Sequence, residues 1–296
     1  MSWLWLTIIS ALLLGVYDFL KKSALTNNAV LPVIFGGIAA GALIWLPLVI
    51  WSGLAPASLP HPALHVTAIT PLQHLQVFAK SALVVASWIF GYLGLKSLPL
   101  SIATPIRATS PIWTISLALL IYGESPTTRQ WVGVGIILSS FFIFSMAGKK
   151  EGIHFHRSKA VYLIIIATML GACSSILDKF LLQDADLSVT EVQAWFSLYS
   201  VPAMLPALWW WFQRRERNHF EFRWSIPAIG VALLLADLLY FSAIAQPEAL
   251  ISLITPVRRA AAVVSFALGI WLLKEQIRPT KVLAVIGIMV GVALLA

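Results

Sequence analysis

The chain has 296 residues, of which 59% are apolar and only 11% charged, about half the charged share of a soluble domain. That composition excludes a water-exposed globular protein and points to a chain that crosses a membrane many times. The formal charge of +8 gathers at the ends of apolar runs, which argues for membrane topology and against nucleic acid as a partner. The single cysteine, Cys173, rules out an internal disulfide.

A hydrocarbon core about 30 Å thick takes about 20 helical residues. Runs of that order, ended by charge, proline or glycine, predict ten transmembrane helices at residues 3–20, 29–51, 77–96, 99–122, 129–147, 160–180, 192–212, 224–245, 249–272 and 280–296. The first run lacks a basic flank and a small-residue cleavage site, so a retained span is expected rather than a removable signal peptide. The connection 52–76 holds Pro56, Pro60, Pro62 and Pro71 together with His61, His65 and His74; irregular spacing and the lack of a nearby carboxylate favour an interfacial loop over a metal site. Trp209, Trp210 and Trp211, beside a basic loop, read as an interfacial aromatic belt. If ten spans alternate, nearly all Lys and Arg fall on one side, leaving Lys80, Arg129 and Lys179 on the other. The basic side is then cytoplasmic and both termini lie outside.

The stretch SIATPIR at 101–107 returns as SLITPVR at 252–258, and Glu124 and Glu275 recur at the same offset. Lys22 and Lys179 sit in matching places near the ends of spans one and six. Two halves follow, 1–150 and 151–296, each of five spans; an odd number makes the second half an inverted copy of the first. Both copies of the motif place an arginine inside an apolar run, where a charge costs roughly 2.5 to 3.5 kcal/mol and marks a pathway or binding site. Pro105 and Pro256 deprive the carbonyls of Ser101 and Ser252 of their helical donors, a break tolerated where backbone lines a cavity. Counted from opposite faces at about 1.5 Å per residue, Arg107 and Arg258 both reach the neighbourhood of the midplane.

Two guanidinium groups facing one cavity call for an anion between them, a carboxylate or phosphate that accepts two bonds at once. Arg259 has no counterpart in the first half, where Ala108 stands. Asp237 mirrors Arg258 and Arg259 across the turn at 247–248, so it is expected to pair with one of them, Arg259 by preference, or to carry a proton if unpaired. Lys22 and Lys179 read either as substrate contacts or as snorkelling charges at span ends, with Asp18 a helical partner for Lys22. Glu124 and Glu275 read as setting helix ends. Ser174, Ser175 and Tyr240 either line a polar path or pack helices.

Ten spans in two halves, Lys22 and Lys179, Gly123-Glu124 followed by Gly133 and Gly135, and Lys274-Glu275 followed by Gly287 and Gly291 are together the pattern of a known family. Over essentially its whole length the chain resembles the EamA family of the drug/metabolite transporter superfamily. The resemblance implies an all-α, multi-pass transporter in a bacterial inner membrane, monomer or homodimer, working on a small-molecule substrate with no cofactor, metal or catalytic residue. Members of that superfamily export amino acids and other metabolites or exchange phosphorylated sugars and nucleotide sugars. Plastid triose-phosphate translocators are similar in holding phosphate with cationic residues in spans four and nine, the places of Arg107 and of Arg258 and Arg259; lysine is usual at the first. The family is generally drawn with cytoplasmic termini, opposite to the charge count. The expected function is alternating-access transport of a small organic anion, carboxylated or phosphorylated, bound by Arg107, Arg258, Arg259, Lys22, Lys179, Ser101, Ser252 and Tyr240. An exporter of zwitterionic or neutral metabolites, and a flippase for an anionic lipid headgroup, are the alternatives.

Overall fold

The computed structural model describes residues 2–97, 106–107, 109–146, 158–213, 220–261, 263–264, 267–268 and 279–295. Ser101, Pro105 and Glu275 therefore lie outside the described residues, as does the side chain of Lys22. Ten helices follow one another, with no strand among the described residues: α1 (Trp3–Leu25), α2 (Val30–Leu54), α3 (Pro71–Ser97), α4 (Ser110–Tyr122), α5 (Thr128–Met146), α6 (Lys159–Lys179), α7 (Val189–Gln213), α8 (Ser225–Ile244), α9 (Ile251–Arg258) and α10 (Pro279–Leu295). Five of them are long and apolar enough to cross a membrane by themselves, α1, α2, α3, α6 and α8, and α4, α5 and α10 contribute shorter apolar segments. Large apolar side chains such as Leu43, Leu120, Leu283 and Met289 point outward, as lipid-facing residues do when the backbone is satisfied within each helix.

Three helices begin earlier than hydropathy predicts, or begin sharply, because polar residues cap them. At α3, Thr70 and Gln73 exchange bonds, Thr70 N to Gln73 Oε1 at 2.8 Å and Gln73 N to Thr70 Oγ1 at 3.3 Å, with Pro71 as the first helical residue. Thr127 and Gln130 repeat this at α5, and Ser188 with Glu191 at α7. Each is a capping box that satisfies two otherwise orphaned amides, and proline suits the first turn because its missing N–H has no partner to lose. The early start of α3 moves Lys80 from the edge of a span, where hydropathy put it, to the third turn of a helix.

The helices pack in pairs that correspond when α1–α5 are exchanged with α6–α10. Thus α1 against α8 is answered by α6 against α3, α2 against α8 by α7 against α3, and α4 against α6 by α9 against α1. The pairs α2 with α7, α4 with α9 and α5 with α10 map onto themselves. Each of the two long pairs carries one serine-to-carbonyl bond, though with the donor on opposite members: Ser10 of α1 donates to the carbonyl of Ala236 in α8 at 2.6 Å, and Ser87 of α3 donates to that of Ala167 in α6 at 2.7 Å. Small residues set the closest approaches, as expected between helices in lipid. A Cβ on Gly230 of α8 would fall 2.2 Å from the carbonyl oxygen of Gly37 in α2, and one on Gly133 of α5 would lie 2.9 Å from that of Gly291 in α10.

Candidate functional site

Spans four and nine, expected as continuous runs, are both interrupted at their arginines. Helix α9 ends at Arg258, Arg259 and Ala260 form a turn, and helical backbone resumes at 261. On the other side Ile106 and Arg107 are helical, the Thr109 amide bonds back to the Ile106 carbonyl at 3.1 Å, and α4 starts only at Ser110, with a proline in its first turn. The two breaks touch, for Arg259 Nη2 lies 3.4 Å from Ser110 Oγ. Arg107, three residues before Ser110, is exposed, and its charge acts on both Arg259 and Lys21 of α1. Asp18, one turn before Lys21, supplies the opposing charge to both. Three cations and one carboxylate, next to the N-terminal end of α4 with its own partial positive charge, make an electropositive junction where the helices are interrupted.

Arg258 belongs to a different environment. Its Nη2 donates to Asp237 Oδ1 of α8 at 3.0 Å, and its guanidinium lies 3.9 Å from the centroid of the Tyr240 ring. Tyr240 in turn directs its hydroxyl to Asp178 Oδ2 of α6 at 3.4 Å. The other oxygen of Asp178 lies 3.3 Å from Lys80 Nζ. Lys80 is 1% exposed, and its ammonium sits 3.2 Å above the Phe196 ring. A chain of alternating charge therefore runs from α3 through α6 and α8 to α9, each cation answered by a carboxylate.

A third group sits where α4 ends. Gly123 takes a left-handed conformation, φ 60°, which glycine adopts without steric cost, and the turn sends Glu124 into the bundle beneath α9. Its Oε1 accepts from Lys179 Nζ at 2.6 Å and from the Ile251 amide at 2.9 Å. Its Oε2 accepts from the Ser252 amide at 2.9 Å and from the Ser252 hydroxyl. The carboxylate so caps the start of α9 from another segment of the chain, where the helix dipole also favours negative charge. Burial opposes its ionised form, but the ammonium, the hydroxyl and the two amides outweigh burial and hold its pKa below the ordinary 4.5.

Between α2, α3, α7 and α8 a narrow, open cleft is lined by Gly37, Gly41, Trp88, Gln193, Phe196, Ser197, Ser200 and Asp237, among others. A second cleft adjoins it, shares Gly37, Ile38, Trp88 and Leu233, and reaches Tyr17 and Lys21.

The model of the EamA-like transporter family matches residues 1–146 and 158–296. The chain belongs to the EamA-like transporter family. A solved crystal structure superimposes with a TM-score of 0.71 over 98% of this chain and 95% of its own, at 17% identity, so the fold is shared. Curated relatives from Salmonella typhimurium, Salmonella newport and Salmonella paratyphi B, each named "Probable 4-amino-4-deoxy-L-arabinose-phosphoundecaprenol flippase subunit ArnE", are 31% identical over 77 residues, which is 25% of this chain and 69% of theirs.

Within this EamA-like chain the residues singled out from sequence separate into distinct groups. Arg107 and Arg259 lie at one junction, joined by Lys21 rather than by any described contact of Lys22. Arg258, expected to face Arg107 across a cavity, is instead neutralised by Asp237; the sequence favoured Arg259 as that partner, but Arg259 turns to Ser110. Lys179 and Ser252 both serve Glu124, and Tyr240 stands between Arg258 and Asp178. Lys80 and Asp178 were missed. Their signal is present as ionisable residues inside apolar runs, but the predicted span 77–96 puts Lys80 at its edge, where a charge reads as topology, whereas the helix begins at Pro71. Gln193 was missed because a lone amide near a span end carries no pattern.

Proposed function

We propose that this protein is a secondary transporter of a small organic anion, built from two inverted five-helix halves, 1–150 and 151–296, that rock around a site at the paired helix breaks. The observation that carries this reading is the junction of Arg107 and Arg259 with Lys21, three cations against Asp18 among the described residues, at the start of α4. A cation excess held inside a membrane bundle is costly unless a ligand supplies the missing negative charge. Broken helices at mid-membrane are where transporters bind substrate. The matched packing of α1–α5 and α6–α10 supports two related halves, and the repeat motif supports their inversion. A bacterial inner membrane is the fitting location, by likeness to the Salmonella relatives.

The test is a thermal-unfolding screen of the purified protein against phosphorylated, carboxylated, zwitterionic and neutral metabolites. Anions are expected to raise the midpoint, and Arg107→Gln and Arg259→Gln are expected to abolish that rise. Equal stabilisation by neutral compounds, or a rise unaffected by both substitutions, would overturn the reading. A second reading, translocation of a lipid-linked anionic sugar, is favoured by the relatives' printed name. Transbilayer movement of a labelled anionic glycolipid in proteoliposomes, without uptake of soluble anions, would select it.

A further inference from the structure

The cleft between α2, α3, α7 and α8 is built for the opposite chemistry to the arginine junction. Gln193 is only 1% exposed, yet its Oε1 has no hydrogen-bond partner, and it lines the cleft. A buried carbonyl left unpaired costs about 1 to 3 kcal/mol, which a ligand donor would recover. Ser197 and Ser200 spend their hydroxyl hydrogens on the carbonyls of Gln193 and Phe196, at 2.8 and 2.7 Å, so what remains free on each is lone pairs. Asp237 gives Oδ1 to Arg258. Apart from the Gln193 amide nitrogen, the polar wall therefore accepts. A Cβ built on Gly41 would meet no atom within 4 Å, and Trp88 in the same lining offers an aromatic ring to an ammonium.

We propose that this cleft is a subsite for a hydrogen-bond-donating group of the transported molecule, an ammonium or a set of hydroxyls, held by Gln193, Ser197, Ser200 and Asp237. The adjoining cleft leads from there to Lys21. Val33 in the adjoining cleft and Gly41 in the first are eight residues apart on α2, or about 12 Å. The ligand class is thus a compact molecule that fits within that span, with donors at one end and an anionic group at the other, such as an amino- or hydroxy-sugar phosphate. The anionic end rests on the reading above; the donor end stands on the cleft alone.

Binding to the purified full-length protein is measured by calorimetry with inorganic phosphate, n-hexyl phosphate, glucosamine 6-phosphate and glucosamine. Glucosamine 6-phosphate is expected to bind at least about tenfold more tightly than n-hexyl phosphate, the gain of one or two well-made bonds to charged groups. Gln193→Met should close that gap while leaving inorganic phosphate affinity unchanged, and Ser200→Ala should narrow it. Equal affinities in the wild type, or a gap that survives both substitutions, overturn the subsite. If the phosphates fail but glucosamine binds and depends on Gln193, the subsite stands and the anion reading falls. If the phosphates bind through Arg259 and donors add nothing, the anion reading stands and the subsite falls. Binding of none of the four overturns both. Replacing glucosamine 6-phosphate by glucose 6-phosphate separates the ammonium from the hydroxyls as the source of the gain.

Discussion

Glu124 and Arg259 stand at opposite extremes of the same problem, a charge held within a membrane bundle. Glu124 is answered completely by the protein: one ammonium, one hydroxyl and two backbone amides surround its two oxygens. Arg259 has a serine hydroxyl at 3.4 Å, while the nearby charges of Arg107 and Arg258 oppose it and, among the described carboxylates, Asp18 favours it. A satisfied charge fastens helices together. An unsatisfied cluster of one sign is incomplete without something from outside the chain. The two therefore should respond in opposite ways to substitution, the first through stability and the second through ligand binding.

The largest effect is expected at the satisfied sites. Glu124→Ala leaves the Lys179 ammonium buried without a partner and uncaps α9, so thermal or denaturant unfolding should show a loss of about 3 to 5 kcal/mol. Asp178→Asn should cost a comparable amount by stranding Lys80, and Lys80→Met combined with Asp178→Leu should recover most of it, because removing both charges also removes the penalty of burying them. Next comes pH. Since the folded state holds Glu124 below its ordinary 4.5, its stabilising contribution is complete above that value and fades as pH falls through the lower folded pKa. Glu124→Gln should therefore flatten the acid limb of a stability profile. At the unsatisfied site, Arg107→Gln should leave the unfolding midpoint unchanged or raise it, because the group is exposed and its described charged neighbours are mostly cations; a loss above about 1 kcal/mol would mean that the junction is structural. Smallest of all, Arg223→Ala should cost no more than about 1 kcal/mol, for its pair with Glu221 is exposed and its two bonds to the carbonyls of Ser23 and Thr26 lie at the surface.

The architecture was largely legible because lipid imposes length and apolarity on every span, and ten runs of residues became ten helices in the same order. Helix starts were less so. Thr70, Thr127 and Ser188 fix theirs through side-chain bonds that a hydropathy window averages away. At the site, the second copy of the Ser-x-x-Thr-Pro-x-Arg motif, expected to break at Pro256, runs as helix through that proline and ends only after Arg258, while residues 101–105 of the first copy lie outside the described residues. What sequence could not convey is which way each arginine turns after the break. Arg258 and Arg259 are adjacent, so they leave a helical turn roughly 100° apart, and one meets Asp237 while the other meets Ser110. Pairing by depth alone could not distinguish them. Lys179 was seen as one of a repeated pair, but its partner Glu124 comes from the far end of α4, and nothing in the spacing joins the two.

Lys80 has a consequence for how the chain is made. It precedes Asp178 by about 100 residues, and a ribosome adding roughly 5 to 20 residues per second needs several seconds to supply the partner. During that interval the nascent α3, the least apolar of the five long spans with a mean hydropathy of 1.2, holds an ammonium that no carboxylate of its own helix can answer. The charge of α3 therefore stays unmatched until α6, from the second half of the protein, delivers Asp178.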